Sequence, residues 1–412
     1  MIVNRVVALT RGLENPKHPL LGPNLQGLYF FGLWHKSNKT RNILFNVFHT
    51  ACCLFVISQF YALYLMKNDF IQVLLNFSLT AVSLISISKN IRTVCYQRRW
   101  NEIYCMISKE EISNLKKGEL KIQKLMKDYI VYARVVTYLY WSTAVVTCIA
   151  LLISPFLKFA TDPIYRELVH NGTEPYPQIL CSWYPFDNTK MPGYFFGMFW
   201  HVVITIQGAG VIAVFDMNAV SIMTFLKGQL KILHYKCEII FENNTSSSNS
   251  VERNIKECFR LHSFLTKVFN MINSLLSPVM FLYVLLCSVM ICCSVVQLSL
   301  VSENFTLFGL SQKLLVLEYT VALVVQLFIY CWHSNEITEY SSWVDRGVFN
   351  SNWWVGDVKK RRLLLLLAGK MSNPFIFKAG PFTVLSVQTF VDVSSCIIFL
   401  HRATAICKFA CY

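Results

Sequence analysis

Seven stretches of the chain are long and apolar enough to cross a bilayer: residues 43–66, 70–88, 130–154, 194–216, 274–301, 313–331 and 381–402. About 20 residues of α-helix, rising 1.5 Å each, span a hydrocarbon core of about 30 Å. Lipid offers no partner to backbone N–H and C=O groups, so such stretches close their hydrogen bonds internally as helices. The pattern predicts an all-α fold, a polytopic membrane protein with seven transmembrane helices. One apolar run does not fit that reading. In "KKRRLLLLLAGK", Lys359, Lys360, Arg361 and Arg362 stand directly before the leucines 363–367. That run spans only about 9 Å as helix, too short to cross, so it predicts a short helix enclosed by other helices outside the bilayer.

Charge sets the direction of the spans. The connections predicted to share a side with the N-terminus hold 30 of the Lys and Arg residues, and those on the opposite side hold 7. Basic residues stay in the cytoplasm, so the N-terminus is expected inside and the C-terminus outside. Two sequons, "NGT" at Asn171 and "NFT" at Asn304, fall in connections assigned outside and are the candidate glycosylation sites. "MIVNRVVALTRGLEN" lacks the continuous apolar region of a cleavable signal, so the first span is expected to direct insertion. The expected divisions are a cytoplasmic segment 1–42, six spans within 43–331, a cytoplasmic region 332–380, and a last span with an external end at 381–412.

Composition agrees with the membrane and removes other classes. Of the 412 residues, 54% are hydrophobic and 15% charged, against about 25% charged in soluble domains. The formal net charge of +15 lies in loops between apolar segments and not in a basic stripe interleaved with aromatics, so nucleic acid is not an expected partner. Most of the 15 cysteines sit inside apolar runs such as "ACCLF" and "MICCSV", where they behave as small hydrophobes. No metal spacing recurs, and neither metal nor cofactor is expected. Cys181 is the clearest candidate for oxidation, with Cys411 as a possible partner. No nucleophile with an evident base appears, which argues against an enzyme. A G-protein-coupled receptor is disfavoured by the charge asymmetry: "DRG" at Asp345 follows the sixth span, and "NPFIF" at Asn373 precedes the last. A transporter would want polar residues at the midplane and paired broken helices, and neither pattern is present.

The region from Tyr330 onward is the most specific. "YCWHSNEITEYSSWVDRGVFNSNWW" leads into "KKRRLLLLLAGKMSNPFIFKAGPFTVLSVQTF". This resembles the C-terminal signature of the insect odorant receptors, which are seven-helix, ligand-gated cation channels. Tyr330, Cys331, Asn335, Glu336, Ser341, Val344, Phe349, Trp353, Trp354, Pro374, Ala379, Gly380, Phe382, Ser386, Thr389 and Phe390 carry the match, with "WYPFD" at Trp183 in the large external loop. Gustatory receptors resemble it less, since their terminal Thr-Tyr and Gln-Phe elements are missing. The resemblance implies a receptor for an odorant or pheromone, a small apolar volatile, at the plasma membrane of olfactory neuron dendrites. It also implies a heteromeric, tetrameric channel with the shared co-receptor as partner, this chain being the tuning subunit. "LLLLLAGK" would belong to a cytoplasmic anchor bundle at the subunit contacts, with the basic cluster facing cytoplasm, a neighbouring carboxylate or anionic lipid.

In that family the ligand pocket lies in the outer half of the membrane between the second to sixth spans. Helical spacing then selects Phe70, Val73 and Phe77; Tyr140, Trp141, Ala144 and Cys148; Met198, Phe199 and Val202; and Tyr319 and Leu323. Ionisable residues within spans are functional candidates. Arg134 is expected to snorkel inward and Asp216 to sit at a helix end. Glu318 is a pocket or water-facing candidate. Asp392 either attracts cations in the pore or bonds a neighbouring subunit. Phe399, Ala403, Ile406 and Cys407 are the approximate pore-lining counterparts.

Overall fold

The computed structural model describes residues 12–35, 38–68, 70–116, 119–188, 190–242, 248–300 and 307–395. Helix dominates throughout. A short α1 (Gly22–Phe30) is followed by α2 (Lys39–Leu65), α3 (Phe70–Cys95), α4 (Gln97–Lys116), α5 (Leu120–Thr161) and α6 (Pro163–His170). Then come α7 (Gly193–Glu238), α8 (Ser248–Leu300), α9 (Leu307–Ser342), α10 (Val344–Asn350) and α11 (Val358–Met371). A two-strand hairpin, β1 (Lys378–Ala379) and β2 (Thr383–Val384), leads into a last helix, α12, seen over residues 387–395.

Among the described residues, five helices are long and apolar enough to cross a membrane: those containing Lys39–Leu65, Leu120–Thr161, Gly193–Glu238, Ser250–Leu298 and Lys313–Asn350. The helix at the second expected span, α3, has 26 residues, about 39 Å at the α-helical rise. The seventh expected span leaves the described residues within α12. Outer faces fit lipid. Val135, Leu139, Val146, Ile149 and Ile153 on α5 are exposed, as are Leu314, Leu317, Val321, Val325 and Phe328 on α9. Their spacing of three, four and seven residues makes one apolar stripe per helix, and no other solvent would hold it.

The helices run well past the expected spans. α8 has 53 residues, about 80 Å, more than twice the hydrocarbon thickness. The extra turns carry the main core on beyond the apolar windows. Leu226, Leu230, Leu233, Leu261, Leu265 and Val268 are fully buried there. Ion pairs ring it: Lys227 with Glu336, Lys236 with Glu257 at 2.7 Å, and Arg260 with Glu110 at 3.3 Å. α7 is the central post, packed against α1, α3, α5, α8, α9 and α10.

The leucine run lies in α11, started by Asp357, whose carboxylate caps Lys360 N–H at 3.4 Å. Leu364, Leu367, Ala368 and Met371 face the chain's own core, whereas Leu365 is 69% and Leu366 65% exposed. The basic residues before it are held locally. Lys359 lies 3.6 Å from Glu252, and Arg361 donates to the carbonyls of Trp354 and Gly356. The return from α11 is stapled to α9 by hydroxyls. Thr338 donates to Phe375 C=O, Ser341 accepts from Phe375 N–H, and Ser334 donates to Leu385 C=O at 2.6 Å. Gly380 turns the hairpin at φ +68° and donates to Ser277, and a Cβ there would meet Phe281 at 2.8 Å.

Arg134 is tied to the N-terminal segment. Its guanidinium pairs with Glu14 at 2.7 Å and donates to the carbonyls of Pro19 and Leu20, clamping the N-terminal segment onto α5. Beside it, buried Glu111 of α4 accepts from Leu20 N–H at 3.3 Å and Tyr129 O–H at 3.1 Å. Burial outweighs these bonds and the Arg134 charge, and raises its pKa from 4.5 to about 7. A raised carboxyl contributes stability that is complete below 4.5 and is lost as pH rises through about 7. The melting temperature of solubilised protein is therefore expected to fall across that window, and Glu111→Gln to flatten the fall. An unchanged profile in the variant would exclude Glu111 as its source.

Candidate ligand cavity

A cavity of about 160 Å³ lies between α2, α3, α5, α7 and α9. Its walls are mostly apolar, from Val56, Leu79, Val82, Leu151, Ile204, Val211 and Leu323, with Leu180 of the α6–α7 connection closing one end. That end carries a satellite core of Cys52, Phe55, Ile179, Leu180 and Ile204. A cavity near 150 Å³ lined by aliphatic and aromatic groups holds a molecule the size of benzene. Burying each methylene of a guest there contributes roughly 0.8 kcal/mol.

At the opposite end stands a buried polar node. Asp216 of α7 is fully buried and accepts four hydrogen bonds. Lys89 of α3 and the Tyr330 hydroxyl of α9 donate to Oδ1 at 2.5 and 2.6 Å. The Tyr140 hydroxyl of α5 and the Gln326 amide of α9 donate to Oδ2 at 2.8 and 2.6 Å. Lys89 is itself fully buried, its ammonium 5.2 Å from the Tyr283 ring centroid. One carboxylate thus ties four helices together, and two of its donors, Tyr140 and Gln326, line the cavity.

The sequence-selected residues divide. Tyr140, Ala144 and Cys148 recur every four residues along α5 and all line the cavity, as do Tyr319 and Leu323 of α9. Tyr319 O–H also donates to Ser78 C=O at 3.3 Å. Val73, Phe77, Trp141, Met198, Phe199 and Val202 do not line it. Phe77 packs into the main core, and Trp141 packs beside Ala213 and Met217 and towards Gly27 of α1. Met198 and Val202 pack on the satellite core, and Phe199 points outward, 61% exposed. The side chain of Phe70 lies outside the described residues. The walls differ from expectation in one further respect: α2 contributes Cys52 and Val56, and α8 contributes none of the lining. α8 stands behind Tyr319, whose hydroxyl reaches Met290 Sδ at 3.3 Å.

Asp216 is not at a helix end: α7 continues to Glu238, and only the apolar window of the sequence stops there. Lys89 falls one residue past the expected second span, so the sequence offered Asp216 without its partner. Glu318 is half-buried and accepts from Thr147 Oγ1 at 2.6 Å. Asp392 is exposed and accepts from Gln388 at 2.8 Å. Phe399, Ala403, Ile406, Cys407, Asn304 and Cys411 lie outside the described residues. Asn171 is an exposed helix-end residue, and Cys181 is a free thiol 3.8 Å from Met66 Sδ. Among the described residues no cluster of three metal-ligating side chains occurs.

Removing one member of a buried ion pair leaves the other uncompensated, at a cost of about 3–5 kcal/mol, whereas replacing both by apolar groups is near neutral. Asp216→Leu is therefore expected to lower the melting temperature sharply, and Lys89→Met combined with Asp216→Leu to restore much of it. Additive losses in the double variant would contradict a coupled pair.

The family model described as 7tm Odorant receptor matches residues 69–398. Odorant receptor Or2 of Anopheles gambiae is 25% identical over 151 residues, 36% of this chain and 38% of its own length. Odorant receptor 46a, isoform A, of Drosophila melanogaster is 27% identical over 188 residues, 44% of this chain and 47% of its own. The chain thus spans less than half the length of these curated relatives. In fold it is similar to the insect olfactory receptor OR5 from Machilis hrabei, solved in complex with eugenol, with a TM-score of 0.77 at 14% identity, covering 93% of this chain and 96% of that one. A second structure of the same receptor gives 0.76 at 15% identity, with 92% and 96% covered. With a family model matched over most of its length, the chain belongs to the 7tm odorant receptor family.

Proposed function

We propose that the chain is the ligand-binding subunit of a heteromeric, odorant-gated, non-selective cation channel, working with the family's shared co-receptor in a tetramer. The observation that carries this is a mostly apolar cavity whose polar floor is hydrogen-bonded to α9, the helix that leads to the last span. Tyr140, Ala144, Cys148, Tyr319 and Leu323 would contact a small apolar volatile. A fold relative solved with eugenol supports a guest of that size.

The route from cavity to last helix is short. Gln326 and Tyr330 on α9 bond Asp216, and Ser334, one turn on, bonds Leu385 C=O just before α12. A ligand shifts such an arrangement only by its differential affinity for the two states. Asp392 and the residues beyond it would line the ion path, with Asp392 offering charge to cations. The basic connections support a cytoplasmic N-terminus, and the outward Leu365 and Leu366 suit a contact with a neighbouring subunit. On that topology Asn171 is an external glycan acceptor, and the assembly sits in the plasma membrane of sensory dendrites.

The test is ligand-evoked current in cells expressing this chain, the co-receptor, or both, with G-protein signalling blocked. The pair alone is expected to respond rapidly to small apolar volatiles. Ala144→Trp, which fills the cavity, should abolish the response while surface assembly with the co-receptor persists. A response that disappears when G proteins are blocked would overturn the channel reading.

A further inference from the structure

The cavity's polar side chains are largely engaged with protein. Ser86 Oγ donates to Gly208 C=O, Ser83 to Leu79 C=O, Thr143 to Tyr140 C=O and the Gln207 amide to Phe31 C=O. Tyr140 and Gln326 donate to Asp216. Asn90 of α3 is the exception that is also deeply buried. It lines the cavity with the residue 5% exposed, and its Oδ1 has no partner.

The orientation of that amide follows from its neighbour. His49 Nε2 faces the Gly32 carbonyl at 3.4 Å, so in the neutral ring this nitrogen carries the proton. Nδ1 then presents a lone pair, and the Asn90 amide donates to it at 2.7 Å. With Nδ2 committed, the free atom is the carbonyl oxygen, an acceptor. A buried acceptor without a partner costs about 1–3 kcal/mol, so a guest that supplies a proton recovers that loss, while one without a donor does not. Asn90 follows Lys89 on α3 and faces His49 of α2. Thr205 Oγ1, also lining the cavity without a partner, both donates and accepts and therefore does not select.

We propose that Asn90 Oδ1 makes the cavity selective for apolar molecules bearing a hydrogen-bond donor, a hydroxyl above all, which docks hydroxyl-first against α3. This rests on the cavity being the ligand site, and it specifies the chemical class of the guest. The neighbouring acceptor Asp216 already accepts four hydrogen bonds, which leaves Asn90 Oδ1 as the deeply buried amide oxygen still open to a donor.

The test is binding to the purified full-length chain in lipid nanodiscs, using isomer pairs that differ only in the donor: benzyl alcohol with anisole, and hexanol with methyl pentyl ether. The wild type is expected to bind each alcohol roughly tenfold more tightly than its ether, one net buried hydrogen bond. Asn90→Leu should bring the ratio near one while ether affinity holds, with its melting temperature as the folding control. Equal affinities for alcohol and ether in the wild type would overturn the proposal. So would a parallel loss of both in Asn90→Leu, which would make Asn90 a packing residue or a water-satisfied one. If none of the four compounds binds a folded wild type, or if Ala144→Trp binds them unchanged, the cavity reading itself fails.

Discussion

A carboxylate with no access to water holds the membrane half of this molecule together. Asp216 stands on the central helix α7 and receives donors from α3, α5 and α9. Taking Lys89 and Asp216 out of water is expensive, and only the filled set of hydrogen bonds makes it tolerable. The consequence is geometric. The donors sit on different helices at one level, so the helices cannot slide past one another without stranding a charge. Above that level they diverge enough to leave the cavity; below it they converge into the leucine-rich core and its ring of ion pairs. The node is therefore both a fastener and the floor of the site.

The spans and their order are legible in the apolar windows because lipid imposes one requirement, continuous apolar helix, and the sequence meets it openly. Helix ends are not legible in the same way. α5, α7, α8 and α9 continue past the membrane as helices whose burial comes from one another, so hydropathy falls while the helix goes on. That is why Asp216 reads as a terminus and Lys89 as loop. Both errors have the same origin, and together they hide the pair.

The site is legible in part. Tyr140, Ala144 and Cys148 share a face of α5 by simple periodicity, and that face meets the cavity. Periodicity does not say what a face meets. Trp141 and Phe77 lie on buried surfaces equally well patterned but packed against helices, and Phe199 meets the outside. Asn90 and Leu180 carry no signal in sequence, since their significance depends on a histidine and on a loop brought in by the fold. The signature after Tyr330 is different. Its matched Ser341, with Ser334 and Thr338 close by on the same helix, bonds the backbone of the return segment, so a region recognised by resemblance turns out to fasten α9 to the approach of α12.

On this reading a small apolar molecule resides in the space above the Asp216 node. Cryo-electron microscopy of the receptor assembly soaked with iodobenzene tests it most directly, because iodine scatters strongly enough to mark one ring. Density is expected between α3, α5, α7 and α9, against Tyr140, Ala144, Tyr319 and Leu323. Density confined to the lipid-facing grooves, with this space empty at saturating probe, would contradict it.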